Sequence, residues 1–149
     1  MGILTPEQLF FRYAWPAADK LFMERKLSER DYRRLKVFRD NPHLCPPREL
    51  LETCFHRIFD ALRICGNETG RSAWDDRNVG DYWRMFHDGP GPVRVYTVGE
   101  IRGDGNLLGT SRRQGEHPQL LSNPYSLELR QGNQIYVRMA CAVEIYGER

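Results

Sequence analysis

The chain has 149 residues, with 22 Lys and Arg against 20 Asp and Glu, a formal net charge of +2. That length suits one domain with a sizeable core, and a charge this close to balance excludes the strongly basic make-up of a dedicated nucleic-acid binder. Hydrophobic (40%) and charged (28%) fractions are those of a soluble globular protein, no apolar run is long enough to span a bilayer, and the N-terminus lacks the basic start and apolar core of a signal peptide, so the expected compartment is the cytoplasm.

The N-terminal half carries helix signals. Thr5 is a good cap, Pro6 suits the first helical position and Glu7 favours the helix dipole. Leu9, Phe10 and Tyr13 form a short apolar stripe, and Pro16 should interrupt the helix after Trp15. Ala17, Ala18, Leu21 and Phe22 continue it. Ser28-Glu29-Arg30-Asp31 marks a second start, a capping-box pattern with Asp at the third position. Tyr32, Leu35 and Phe38 point inward beyond it, accompanied by Arg30, Arg33, Arg34, Lys36 and Arg39, until Asn41-Pro42 ends the helix. Pro46-Pro47 opens a third helix expected to reach about Cys65. Its stripe of Leu51, Cys54, Phe55, Ile58, Leu62 and Cys65 repeats every three or four residues, and Gly66 is the expected stop. A polar connector leads to a short helix over residues 79–87, capped by Asn78, with Tyr82, Trp83 and Phe86 as its apolar residues.

Asp88-Gly89-Pro90-Gly91-Pro92 breaks the pattern and marks the change from helix to strand. Residues 93–101 are rich in Val, Tyr, Thr and Ile, as a strand requires. A polar loop, 102–118, follows, with Leu107-Leu108 able to form a brief strand inside it. In the last stretch, Gln134 to Tyr146, Ile135, Val137, Met139, Cys141, Val143 and Ile145 take every second position, the period of one strand with one buried face. Its expected partner is residues 126–130. A three-residue loop over 131–133 would bring Leu129 and Leu127 opposite Ile135 and Val137 and keep the apolar face intact. Tyr136, Arg138, Glu144 and Tyr146 would then face outward. The expected fold is α+β: about three N-terminal helices plus one short one, packed on a small antiparallel sheet that ends in a C-terminal β-hairpin. It is expected as a single domain, 1–149, with a helical part (1–88) and a strand part (93–147).

No motif identifies a reaction. His43, Cys45, Cys54 and His56 have zinc-ligand chemistry, but Cys54 and His56 lie about 200° apart on a helix, and Cys54 and Cys65 belong to the apolar stripe, where a thiol packs as a small hydrophobe. Cys45 near His43 is the one candidate thiol nucleophile, and a structural loop cysteine is the favoured alternative. Asp75, Asp76, Asp81, Asp88 and His87 could hold a cation or exchange protons; the spacing fits no calcium loop, and solvated or helix-capping acids are favoured. No metal and no cofactor is expected, and a non-enzymatic role is preferred to an enzymatic one.

Two stretches could bind. The Gly-rich loop 102–118 holds Arg112, Arg113 and His117, which could grip an anionic small molecule. The outward sheet face offers Tyr136 and Arg138, residue types enriched at protein interfaces and able to stack bases. The N-terminal aromatics Phe10, Phe11, Tyr13 and Trp15, with Phe22, Tyr32 and Phe38, look too numerous for one small core, so some should face a partner. The leading expectation is an accessory subunit or homo-oligomer acting by protein–protein contact, with another protein or a second copy of itself as partner. Binding of an anionic small molecule is the alternative. Nucleic acid, through the basic helix and Tyr136 with Arg138, is the second alternative, and no membrane partner is expected.

Overall fold

A computed structural model describes residues 4–111 and 117–147. The chain forms two compact units, Met1–Asp88 and Gly89–Arg149, divided within the Asp88–Pro92 breaker. The first is helical and the second is a five-stranded antiparallel sheet, so the fold is α+β.

In the helical unit, α1 (Pro6–Ala14) starts on a complete capping box. Thr5 Oγ1 accepts from the Gln8 amide, and Gln8 Oε1 accepts from the Thr5 amide at 2.8 Å. The same Gln8 side chain donates through Nε2 to the carbonyls of Pro42, His43 and Leu44, which ties the start of α1 to the loop before the third helical region. Pro16 turns the chain through a 3-10 segment, Trp15–Ala17, into α2 (Ala18–Met23). Ser28 caps α3 (Glu29–Asp40) by accepting from the Asp31 amide.

The helix expected over residues 46–65 is in fact two. α4 (Arg48–Cys54) and α5 (His56–Thr69) are separated at Phe55, which leaves helical geometry at φ −118°. The break carries the Phe55 ring into the core, edge-on to Phe10. Neither glycine nor proline stands there to announce it. Gly66 does not stop the helix. It is buried where a Cβ would come within 2.7 Å of the Arg71 carbonyl oxygen, and Gly70, at φ +70°, forms the left-handed cap instead. Asp75, not Asn78, caps the next helix, α6 (Asp76–Asp81), by accepting from the Arg77 amide. Asn78 is buried and donates to the carbonyls of Leu62 and Ala73, so it joins α6 to α5 and the connector. A π-helical segment, Tyr82–Phe86, follows.

Phe10 organises this core. Its ring meets Phe55, Trp74 and Trp83 edge-on at 5.1–6.2 Å, and Tyr13 stacks on Trp83. Such pairs each contribute about 0.5–1.5 kcal/mol beyond the area they bury. Phe10, Phe11, Tyr13 and Trp15 are all buried. Of the seven N-terminal aromatics, that leaves Phe22, Tyr32 and Phe38 partly exposed.

The second unit contains β1 (Arg94–Ile101), β2 (Leu107–Ser111), β3 (Gln119–Leu121), β4 (Gln134–Arg138) and β5 (Cys141–Ile145), in the order β3-β2-β1-β4-β5. β1 to β4 form a Greek key. The sheet curls until its two outer strands meet: Ser122, just past β3, bridges Cys141 in parallel. Its amide donates to the Ala140 carbonyl at 2.8 Å and its carbonyl accepts from the Ala142 amide at 2.9 Å. The circuit β1-β2-β3-β5-β4 is thus a small, partly open five-stranded barrel closed by this one bridge. Tyr96, Val98, Leu107, Leu121, Ile135, Val137 and Ala142 fill its interior, with Leu127, Leu129 and Ile145 packed against them.

The single strand expected from Gln134 to Tyr146 is a hairpin. Met139 and Ala140 both have positive φ (51° and 62°), the signature of a type I′ two-residue turn, and β4 pairs with β5 across it. A two-residue turn sets Val137 opposite Ala142 and so moves the inward positions from odd to even numbers. A bulge at Val143 moves them back, leaving Ile135 opposite Ile145. The alternation therefore survives across a reversal of chain direction. Met139, expected inward, lies on the turn at 41% exposure, whereas Arg138, expected outward, is buried at 3%. Residues 126–130 form no strand. The Asn123 side chain binds both the amide and the carbonyl of Leu127, and Asn133 Oδ1 accepts from the Arg130 amide. These side chains satisfy backbone groups that a strand would pair with a neighbour.

Candidate functional site

Of the expected binding residues, His117, Tyr136 and Arg138 are described. Arg112 and Arg113 lie outside the described residues, and His117 is exposed beyond them. The expected 102–118 loop is shorter than its composition suggests. Arg102 to Asn106 close a tight turn, with the Arg102 amide donating to the Asn106 carbonyl and Asp104 accepting from the Asn106 amide, and β2 takes the following residues. At the base of the next connection the Tyr96 hydroxyl donates to Gln119 Oε1 at 2.9 Å.

Tyr136 is half-buried and tilts against the exposed Tyr146, ring centres 5.2 Å apart. Arg138 does not share that surface. Its guanidinium donates from Nε to the Gly91 carbonyl at 2.9 Å and from Nη2 to the Pro90 carbonyl at 3.2 Å. Gly91 (φ +72°) sits so close that a Cβ there would lie 2.8 Å from Met139 Cγ. Arg138 thus holds the breaker segment against the last hairpin.

The cysteines separate by environment. Cys54 and Cys65 are buried, and burial pushes the Cys54 thiol up to about 12 and raises that of Cys65. A thiol held protonated is a poor nucleophile and a poor metal ligand. Cys45 is exposed, its sulfur 3.3 Å from Thr5 Oγ1. Asp75 is consumed as a helix cap, and Asp81 pairs with Arg71 at 2.8 Å. Among the described residues no group of three His, Cys, Asp or Glu is placed to hold a metal ion, and no helix is long and apolar enough to cross a membrane.

What does converge is the hairpin of α2 and α3. Tyr32 stacks on Phe22 with ring centres 4.4 Å apart and on Trp15 at 5.9 Å, and Trp15 stacks on Phe11. The Tyr32 hydroxyl donates to Asp19. That hydrogen bond, assisted by burial, raises the phenol pKa above its ordinary value. Lys36 Nζ lies 4.5 Å from the Tyr32 ring centre, and Arg39 covers Trp15. Trp15 is buried, but Phe22, Tyr32 and Phe38 remain half-exposed, and Met23 is 79% exposed beside them in sequence. The spacing of Tyr32 and the count of aromatics hint at this cluster in the sequence; the Asp19 contact and the overlying cations have no sequence signal, since they depend on how α2 and α3 cross. Comparison with family models, curated proteins and solved structures returns no match.

Proposed function

We propose that the chain works by protein–protein contact, as an accessory subunit or with a second copy of itself, and that the α2–α3 hairpin is its contact surface. The observation that carries this reading is the Phe22–Tyr32 stack, which stays half-open to solvent at the end of a ring column whose inner members, Phe11 and Trp15, are buried. Tyr, Trp and Arg anchored in this way are the residue types that dominate interface energetics. The nucleic-acid alternative loses support at α3, where Arg33, Arg34 and Arg39 are paired with Glu29, Asp31 and Asp40.

Size-exclusion chromatography with light scattering tests the proposal on the wild type and on a Phe22→Ser, Tyr32→Ser variant. The expected result is a mass above the 17.5 kDa chain, or a co-purifying protein, that is lost in the variant. A monodisperse wild-type monomer with no co-purifying protein would count against it.

A further inference from the structure

We infer that the partner segment received by the α2–α3 hairpin is acidic and carries an aromatic or aliphatic side chain. This rests on the contact surface proposed above and adds the chemistry of its occupant. Residues 19–40 contain eight Lys and Arg against five Asp and Glu. Each of the five acids is already engaged: Asp19 by the Tyr32 hydroxyl, Glu24 by Lys26, Glu29 by Arg33, Asp31 by Arg34 and Asp40 by Arg39. Lys20, Arg25 and Lys36 form no close ion pair among the described residues, Lys36 acting on Asp40 only through the longer-range charge that helps lower that carboxyl's pKa behind its bond to Arg39. Arg30 has none either, but it lies about 200° round α3 from Tyr32. The hairpin therefore presents a net excess of cationic charge, eight bases against five acids, around a half-exposed ring pair.

Arg25 adds an independent observation. α2 ends in a Schellman motif: the Lys26 amide donates to the Leu21 carbonyl and the Arg25 amide to the Phe22 carbonyl. The left-handed position of that motif favours glycine, yet Arg25 occupies it at φ 60° with its side chain exposed. An arginine kept at a left-handed position, exposed and in no close ion pair among the described residues, is free to meet a partner's carboxylate. Carboxylates of a partner would pair with Arg25, Lys20 and Lys36, and an apolar side chain would cover Phe22 and Tyr32.

The test is binding of a random glutamate–tyrosine copolymer to the full chain, beside polyglutamate, an oligothymidylate and phosphatidylserine vesicles. The expected result is binding of the copolymer that weakens with salt, exceeds that of polyglutamate, and falls about tenfold or more in a Lys20→Gln, Arg25→Gly, Lys36→Gln variant. Arg25→Gly alone should raise the melting temperature while weakening binding, which separates recognition from loss of fold. The inference is overturned if the copolymer does not bind, if the triple variant binds it equally, if polyglutamate binds as well, or if oligothymidylate or vesicles bind more tightly through the same residues. If the copolymer fails while the Phe22, Tyr32 variant still loses its assembly or partner, the contact surface stands and only the acidic occupant falls.

Discussion

Ala140→Gly should stabilise the barrel, which reverses the usual sign of that substitution. Ala140 is exposed and holds φ 62° in the turn between β4 and β5. A left-handed backbone costs an L-residue roughly 1–2 kcal/mol, and glycine removes that cost. Glycine also adds about 0.4–1 kcal/mol of unfolded-state entropy, so the net gain is about 0.5–1 kcal/mol. No side-chain contact is lost, because Ala140 meets Ser122 through its backbone carbonyl. Ala142→Gly is the internal comparison. Ala142 is buried in β5 opposite Val137, and glycine there should cost about 0.5–1 kcal/mol. All three tryptophans, Trp15, Trp74 and Trp83, belong to the helical unit, so the barrel has no tryptophan of its own. Hydrogen exchange of the Val98 and Ala142 amides, both bonded within the barrel, reports on it. Slower exchange in Ala140→Gly and faster exchange in Ala142→Gly is the expected pair. If both variants exchange faster, residues 139–140 are ordinary strand positions, and the turn, the β4–β5 pairing and the closure through Ser122 are all wrong.

Four further outcomes follow from the packing. Phe10→Ala removes the ring shared by Phe55, Trp74 and Trp83 and should cost about 3–5 kcal/mol, seen as a lowered denaturation midpoint and a weakened near-ultraviolet tryptophan signal; an unchanged midpoint would contradict the central place given to that ring. Arg138→Met should cost about 1.5–3 kcal/mol through the lost bonds to the Pro90 and Gly91 carbonyls, and unaltered barrel exchange would show that the guanidinium holds nothing. A thiol reagent should label Cys45 at once and Cys54 only on unfolding. The folded-state pKa of Cys54 is raised to about 12 from an ordinary 9.0, so its contribution to stability is complete below about pH 9 and is lost as pH rises towards 12; a Cys54→Ala variant should show a shallower alkaline decline, and an identical decline would exclude this thiol as a cause.

The first helix starts and the change from helix to strand were legible because they are written locally. Thr5 with Pro6, Ser28 with Asp31, and the Asp88–Pro92 breaker each act through their own backbone neighbourhood. A sheet ending in a C-terminal hairpin was legible, but its turn at Met139-Ala140 was not, because turn and bulge shift the side-chain parity in opposite senses and cancel, while Met139-Ala140 carries none of the Asn or Gly that announces such a turn. The break at Phe55 and the role of Asn78 depend on what the rest of the helical unit places beside them. Of the site, the aromatic residues were visible in the sequence, but which were already spent in the core was not. Arg138 was misjudged because an arginine on the outer side of a ribbon is ordinarily solvated, and only the return of Pro90 and Gly91 over it changes that.

The seam at Ser122 bears on how the chain behaves at high concentration. The Ala140 carbonyl and the Ala142 amide sit on the outer margin of the last strand, where unsatisfied groups would recruit a strand from another molecule. Ser122 occupies both, so a proline there, with no amide to donate, would leave the Ala140 carbonyl open to a strand from another molecule.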